Sequence, residues 1–513
     1  MTLATPTVKR HAPLILFVLF FCAFWLIMGW RSACFSIVND AYQYSAPFAL
    51  QHSFLNFSIP LIGDFLPYSD HWGYQWPFYM ILKSGLYAVI PYSPSLDKLL
   101  SLAFVSLGGI TLFAGLSRIM HRPWAGLLCA IAYMMDEILS YTSESTRPEP
   151  LTALLLMGVL FAVELLAAGK HRQRALAFLA LAFFLLPGLH PHGLTIAGGL
   201  VVLHWMIFRR WNSGGKRFDS YVPLVAYVLG ILVFLSWFQL FPVAGEQMRV
   251  NRLVQALIYE TATRFTFFQM FLPRHLLWSG YVLWVPAIIL SLAVAFRFLL
   301  SYGKSGGPLP RPCLVYSAAI IGALPVLGFI FRIDNYWHFA IGLPAAYLIL
   351  GAFAAKPELP QAGGDRWRVP ILGFLAFSGM IILALAGARY VRAGCPVMVA
   401  EQKKILSNYS AAPRIYIPLT LWESAIAVRP DSARFFTFPL PMLRKVREQY
   451  EAQTYAEAKS GDVMLVELSP GLDRLQMQPC GQFDPPDPKE WEFVARHLRN
   501  PPWNWDILAY RKK

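Results

Sequence analysis

The sequence predicts an all-α polytopic membrane bundle followed by a small extracytoplasmic α/β domain. Three observations carry that prediction. The 513 residues are 56% hydrophobic and only 14% charged, whereas a soluble domain carries about 25% charged residues. Apolar runs of about 18–22 residues recur through residues 1–391, each long enough to cross a hydrocarbon layer as a helix. From residue 392 onward the runs shorten to strand length between Pro and Gly turns, the pattern of a small mixed domain.

Taken in order, the chain begins with a polar stretch ending in Lys9-Arg10-His11. The apolar run 13–30 that follows is longer than the ~7–15 residues of a signal-peptide core and lacks a small-x-small cleavage site, so it is expected as an uncleaved helix starting in the cytoplasm. A long first loop, 31–96, comes next. A helix is expected over 96–120, closed by Arg118, His121 and Arg122. Helices over 124–139 and 151–169 flank the polar SYTSESTRPEP segment, and Lys170, His171, Arg172 and Arg174 follow the second of them. The run 175–189 leads to LHPHG, and 194–208 returns to Arg209-Arg210 and Lys216-Arg217. Crossings over 221–241, 278–300, 313–331, 339–354 and 369–391 complete the set. Loops with Lys304, Arg311, Lys356, Arg366 and Arg368 lie on one side, and the 242–277 loop and RIDNYWH on the other.

One choice of parity sets the topology. Residues 76–91 are apolar enough to cross, but counting them would put Lys170–Arg174 and Arg209–Arg217 outside, against the bias of basic loops toward the cytoplasm. Reading them as a helix lying in the outer interface, started by Pro77 and carrying a snorkelling Lys83, puts every basic cluster inside. About eleven crossings result, with the C-terminus outside.

Residues 392–513 contain the strand-like runs RIYIPLTLW, VMLVEL and DILAYRKK and a charged helix around 442–459. Cys395 and Cys480 bracket this region, and either pair in an oxidising compartment or stay free. Cys22, Cys129 and Cys313 fall inside apolar runs and read as small buried hydrophobes. Asn56-Phe-Ser58 and Asn408-Tyr-Ser410 match the glycosylation sequon, which matters only in a eukaryotic host. The formal charge of +15 sits mostly in short loops between apolar helices, so it reports topology and no nucleic-acid partner is expected. No CxxC or Cys/His cluster has zinc-ligand spacing.

The first loop is where chemistry gathers. It holds Asp40 in IVNDAYQYSAPFAL, then Asp64 and Asp70-His71 in GDFLPYSDHWGYQWPFY. The same outer face collects Arg147-Pro148-Glu149, His190-Pro191-His192, Arg249, Arg252, Arg264, Arg274-His275 and Arg332-Ile333-Asp334. Positive-inside bias depletes arginine on that side, so these run against the trend. A carboxylate can accept the proton of an attacking hydroxyl, arginines can hold a departing phosphate, and a groove between helices can take a lipid tail. Plainer roles stand beside these. His190 and His192 either satisfy backbone groups freed at the Pro191 break or contact a donor. Glu164 is expected to have a partner on another helix, and Asp136-Glu137 to cap a helix at its outer end.

The ordered set of Asp40 in a long outer loop, HWGYQWPFY, an Arg-Pro-Glu loop before a helix, LHPHG and NYWHFAIGLP resembles the GT-C superfamily of polytopic glycosyltransferases. The pattern is close to bacterial members related to protein mannosyltransferases and lipid A aminoarabinose transferases. The resemblance covers roughly residues 10–391. It implies a polyprenyl-phosphate sugar donor and inverting transfer to a glycan, lipid or protein acceptor outside the cytoplasm, in a bacterial inner membrane. Asp40 matches the first-loop aspartate that serves as base or orients the acceptor. Asp70 and His71 stand where relatives carry a His-Pro-Pro or Lys-Pro-Pro element, here without its prolines. Arg147 and Glu149 match a second-loop Arg/acidic element, with Glu149 in place of the commoner aspartate. Arg252 and Arg332 are the candidates for holding the lipid phosphate, and His190 and His192 join the donor and acceptor site. Without a paired DxD-like motif in the first loop, no essential metal cofactor is expected. The competing readings are a transporter or flippase of lipid-linked saccharides, which predicts pseudo-repeats and midplane polar groups, and a non-catalytic membrane scaffold.

Overall fold

The fold was obtained as a computed structural model, which describes residues 6–34, 45, 48, 55, 57, 77–211, 217–246, 249, 278–302, 309–331, 336–353, 368–393, 398–418, 421–428, 431–435, 452–468, 486–497 and 506–513. Among these, eight helices are long and apolar enough to cross a membrane, and three shorter apolar helices accompany them. Helix α1 (Pro6–Phe24) widens into one π-type turn and continues to Cys34. The short α2 (Pro77–Tyr87) and the long α3 (Pro94–Ala114) follow, both begun by a proline whose missing N–H suits a first helical turn. Next come α4 (Pro123–Met134), α5 (Glu137–Glu144), α6 (Glu149–Ala167), α7 (Arg172–Leu189), α8 (Pro191–Trp211) and α9 (Val222–Leu240). The bundle closes with α10 (Trp278–Tyr302), α11 (Pro312–Phe331), α12 (Leu343–Phe353) and α13 (Arg368–Ala393).

The apolar surface is divided between a core and an outside of the same chemistry. Leu156, Val159, Leu160 and Val163 of α6 are fully buried, whereas Val225, Leu229, Leu232 and Leu235 of α9 are about half exposed. An exposed surface of that kind belongs against lipid, where apolar groups have no reason to hide. It also explains Cys22, which the sequence suggested was buried. Cys22 is exposed because α1 lies at the rim and turns Leu14, Ile15, Leu16, Val18 and Leu19 outward. Between helices, close approach depends on small residues. A Cβ on Gly230 of α9 would stand 2.3 Å from the backbone oxygen of Phe184 in α7, so only glycine permits that crossing.

The two ends of the bundle differ in charge. Alternating helices bring Arg118 and Arg122, Lys170 and Arg172, Arg209 and Arg311 to the end where α6 finishes. There Arg172 Nε donates to Asp219 Oδ2 at 2.7 Å, and Arg311 Nη1 lies 3.6 Å from Glu164. That contact supplies the interhelical partner expected for Glu164. His204, buried in α8, is held between Tyr316 (2.7 Å) and the carbonyl of Asp219 (3.1 Å). The starts of α3, α6 and α8 and the ends of α4 and α7 form the opposite end.

Residues 124–139 do not form one helix. The chain breaks at Met135-Asp136, because the Asp136 carboxylate accepts the backbone N–H of Ile138 at 2.9 Å and so caps a new helix, α5. The capping role expected for Asp136 holds, and much of the SYTSES segment is helix rather than loop.

After α13, helix α14 (Met398–Ser407) precedes β1 (Ile415–Ile417), α15 (Trp422–Val428), β2 (Ala433–Phe435), β3 (Val463–Leu468), β4 (Trp491–His497) and β5 (Asp506–Lys512). The five strands order as β2-β1-β3-β5-β4. β1 pairs in parallel with β2 and β3, while β5 runs antiparallel to β3 and β4. Tyr416, Met464, Val466, Trp491 and Tyr510 pack one face. The expected pairing of Cys395 with Cys480 and most of the expected helix 442–459 lie outside the described residues. Glu423 of α15 lies within electrostatic range of Tyr92 and of Lys98 at the start of α3.

Gly230→Ala is expected to destabilise the protein by about 1–3 kcal/mol through overpacking against Phe184. Gly199→Ala, in a place with nothing within 4 Å of the new methyl, is expected to leave stability unchanged or slightly higher. Thermal unfolding of the two purified variants in detergent checks the contrast.

Candidate active site at the end where α6 begins

The turn between α5 and α6 carries the first elements of the site. Thr142 and Ser143 turn their hydroxyls back onto the carbonyls of Ile138 (2.9 Å) and Ser140 (2.9 Å), which lets a polar segment be buried. Thr146 then takes φ 51°, a left-handed conformation that a β-branched residue adopts only under constraint, at about 1–3 kcal/mol. The constraint is visible: its carbonyl accepts Tyr79 Oη at 2.6 Å, and its hydroxyl lies 2.7 Å from Ser45 Oγ.

Arg147 and Glu149 come next. Arg147 Nε and Nη2 donate to the same Glu149 oxygen, Oε1, at 2.9 and 2.7 Å, and both residues are buried. Pro148 and Pro150 flank the carboxylate at the first turn of α6. From the facing hairpin, His190 brings Nε2 to 3.5 Å from Glu149 Oε1. His190 is extended, at φ −160° and ψ 143°, and ends α7, while Pro191 starts α8. Gly193 makes the hairpin tight enough, since a Cβ there would come within 2.7 Å of the Leu186 carbonyl.

The hydrogen bonds assign the His190 tautomer. His190 Nδ1 accepts the backbone N–H of His192 at 3.2 Å, so the ring proton of the neutral form sits on Nε2, facing Glu149. The two imidazoles stack with centroids 4.9 Å apart, and their Nδ1 atoms are 3.2 Å apart. His190 therefore satisfies a backbone group at the Pro191 break and lies beside the Arg147–Glu149 pair.

A second charged pair lies alongside. Lys83 of α2 is fully buried and donates to Asp97 Oδ2 at 2.6 Å. It does not snorkel to a headgroup layer, as its place in an interfacial helix suggested, because α2 turns Tyr79, Met80, Lys83 and Ser84 into the protein. Burial pushes the Lys83 ammonium below its ordinary pKa, and Asp97 partly offsets this. Tyr87 donates to Asp97 Oδ1 at 2.7 Å, and Ser45 donates to Oδ2 in a short contact. Burial together with the Asp97 charge raises the Tyr87 phenol well above its usual pKa. Beyond these, Arg31 Nη2 reaches Glu144 Oε1 at 2.5 Å.

The structure thus brings together Arg147, Glu149, His190 and His192 out of the residues the sequence singled out. Asp40, Asp70, His71, Arg252 and Arg332 lie outside the described residues, as do Asp64, Arg264, Arg274, His275 and Asp334. Arg249 pairs with Glu246 at 2.6 Å, and both are exposed. Sequence reasoning missed Asp97, Lys98, Ser45, Tyr87 and Thr146. The available signal was Lys83 and Asp97, opposite charges 14 residues apart across a Pro- and Ser-rich turn in an otherwise apolar stretch. Chemically, the cluster offers a carboxylate held by a guanidinium and an imidazole N–H beside it. Among the described residues, no three His, Cys, Asp or Glu side chains converge as metal ligands.

At an effective dielectric of about 20, two charges 2.6 Å apart attract by roughly 6 kcal/mol, while desolvation costs several kcal/mol for each ion. The Lys83–Asp97 pair is thus close to neutral for stability, but either ion alone is not. Lys83→Met and Asp97→Leu are each expected to destabilise by about 3–5 kcal/mol, and the double variant by markedly less than either. Thermal unfolding of the three variants measures that difference.

No protein-family model matches the chain, and no curated protein matches it. Among solved structures, it is similar to the Archaeoglobus fulgidus oligosaccharyltransferase in complex with zinc and sulfate. The similarity has a TM-score of 0.42 and 14% identity, over 88% of this chain and 67% of that one.

Proposed function

We propose that the chain is an integral-membrane glycosyltransferase of the GT-C type. It moves a sugar, with inversion, from a polyprenyl-phosphate carrier to a glycan, lipid or protein acceptor outside the cytoplasm, in a bacterial inner membrane. The observation that carries this reading is the buried Arg147–Glu149–His190 cluster. It sits at the end of the bundle opposite the basic loop clusters. Basic loops mark the cytoplasmic side, so this end faces outward, and the C-terminal sheet domain lies there with it. Ionisable groups that a membrane protein buries beside lipid-facing helices are a functional-site hypothesis by default.

In the proposed reaction Asp40 accepts the proton of the acceptor hydroxyl. The acceptor oxygen forms a bond to the anomeric carbon from the face opposite the carrier. The bond from that carbon to the phosphate oxygen breaks, and its electron pair leaves with the polyprenyl phosphate. Arg252 and Arg332 offset the growing phosphate charge. Arg147 is already engaged by Glu149 through two of its nitrogens, so it orients the second loop more than it binds phosphate. His190 and His192, with Asp70 and His71 from the first loop, contact sugar or acceptor hydroxyls. The C-terminal domain selects the acceptor.

The test uses membranes containing the protein, a panel of polyprenyl-phosphate hexoses and pentoses, and a cell-envelope extract as acceptor. The wild type is expected to release polyprenyl phosphate from at least one donor. Asp40→Asn is expected to lower that rate by about 10²-fold or more. Transfer by Asp40→Asn at the wild-type rate would reject the assignment.

A further inference from the structure

Ser45 lies in the first loop, five positions after Asp40, and is buried without any exposed surface. Its hydroxyl donates to Asp97 Oδ2. Ser45 Oγ itself accepts from Lys83 Nζ at 3.5 Å and lies 2.7 Å from Thr146 Oγ1. With the Ser45 proton committed to Asp97, Thr146 is the donor in that last bond. One hydroxyl therefore joins four segments: the first loop, α2, the start of α3, and the turn that carries Arg147.

Each of those segments is fixed independently around the hydroxyl. Tyr79 of α2 donates to the Thr146 carbonyl at 2.6 Å, which holds the strained turn from the other side. Tyr87, also of α2, occupies the second oxygen of Asp97. Phe48, three residues beyond Ser45, packs its ring 5.4 Å from that of Tyr87 and lies 5.2 Å below the Lys83 ammonium. Further along the first loop, the Leu55 N–H donates to Ser84 Oγ of α2 at 3.1 Å. Phe57 stacks at 6.0 Å on Trp237 of α9. These contacts run from 45 to 57, and the one at Ser45 is nearest in sequence to Asp40.

We infer that the Lys83–Asp97 pair, acting through Ser45 and Thr146, is a latch that sets the first loop against the Arg147 turn. In the glycosyl transfer proposed above, on which this inference rests, Ser45, Lys83, Asp97 and Thr146 are positioning residues. They touch neither donor nor acceptor. They fix the chain on which the base is carried, five residues away, relative to the loop holding Arg147 and Glu149. Five residues span at most about 17 Å, so an anchor at Ser45 restricts where the base can go. The charged pair is what makes the anchor strong, since a hydrogen bond to an ionised partner is roughly twice as strong as a neutral one.

The experiment compares Ser45→Ala with the Lys83→Met/Asp97→Leu double variant, which replaces the ion pair by apolar bulk and leaves no lone buried charge. Ser236→Ala, an exposed hydroxyl of α9, is the control. The first readout does not depend on activity: the rate at which chymotrypsin cuts within residues 35–76 of the folded, purified full-length protein, with sites identified by mass spectrometry. Ser45→Ala and the double variant are expected to be cut about tenfold faster or more, and Ser236→Ala at the wild-type rate. Cleavage at the wild-type rate in both would overturn the latch.

The second readout is transfer. In Ser45→Ala, kcat is expected to fall about tenfold to a hundredfold with donor KM little changed, and Ser45→Thr to restore part of it. A raised KM with kcat intact would overturn the positioning role. Faster cleavage combined with normal transfer by Asp40→Asn would keep the latch and discard the reaction it was assigned to serve.

Discussion

A charge taken out of water must bring its partner with it, and that constraint organises this molecule. Glu149 enters the first turn of α6 with Arg147 two residues away and His190 opposite. Lys83 and Asp97 are buried together, with Tyr87 and Ser45 completing the carboxylate. Helix packing in a bilayer gains little from apolar contact alone, because lipid is as apolar as leucine. The missing side chain at positions such as Gly230 lets the helices come close. The paired charges decide which loops meet at the mouth.

One strained residue lies where those pairs converge. Thr146 holds a left-handed backbone between Tyr79, which grips its carbonyl, and Ser45, which holds its hydroxyl. Arg147 leaves that turn in the direction needed to meet Glu149, and the His190–Pro191 break presents an imidazole from the facing hairpin. The groups around this turn hold one another through hydrogen bonds within the chain. Preorganisation of this sort is what an electrostatically driven transfer requires. Glu423 of the sheet domain lies within electrostatic range of Lys98 at the start of α3.

Most of the bundle was legible in the sequence because hydropathy over a helix length is a strong local signal. The break at Met135-Asp136 was not, since one capping carboxylate outweighed a continuous apolar run. Arg147, Glu149, His190 and His192 stood out because ionisable groups at the end of an apolar helix are few. Lys83 was visible but misread: a lone cation in an amphipathic segment is expected to reach for water, and only the fold supplies Asp97 as the reason it does not. Ser45 and Thr146 carried no signal at all. A hydroxyl in a loop is unremarkable until two helices close over it.

The account depends on sidedness: the end where α6 begins must face away from the cytoplasm, and the end with Arg172 and Arg209 toward it. Single cysteines placed at Ser410, in the C-terminal domain, and at Lys170, after α6, can be labelled with a membrane-impermeant maleimide in right-side-out and inverted vesicles. Labelling of position 410 from outside only and of position 170 from the cytoplasmic side only is expected. Labelling of position 410 from the cytoplasmic side would contradict it.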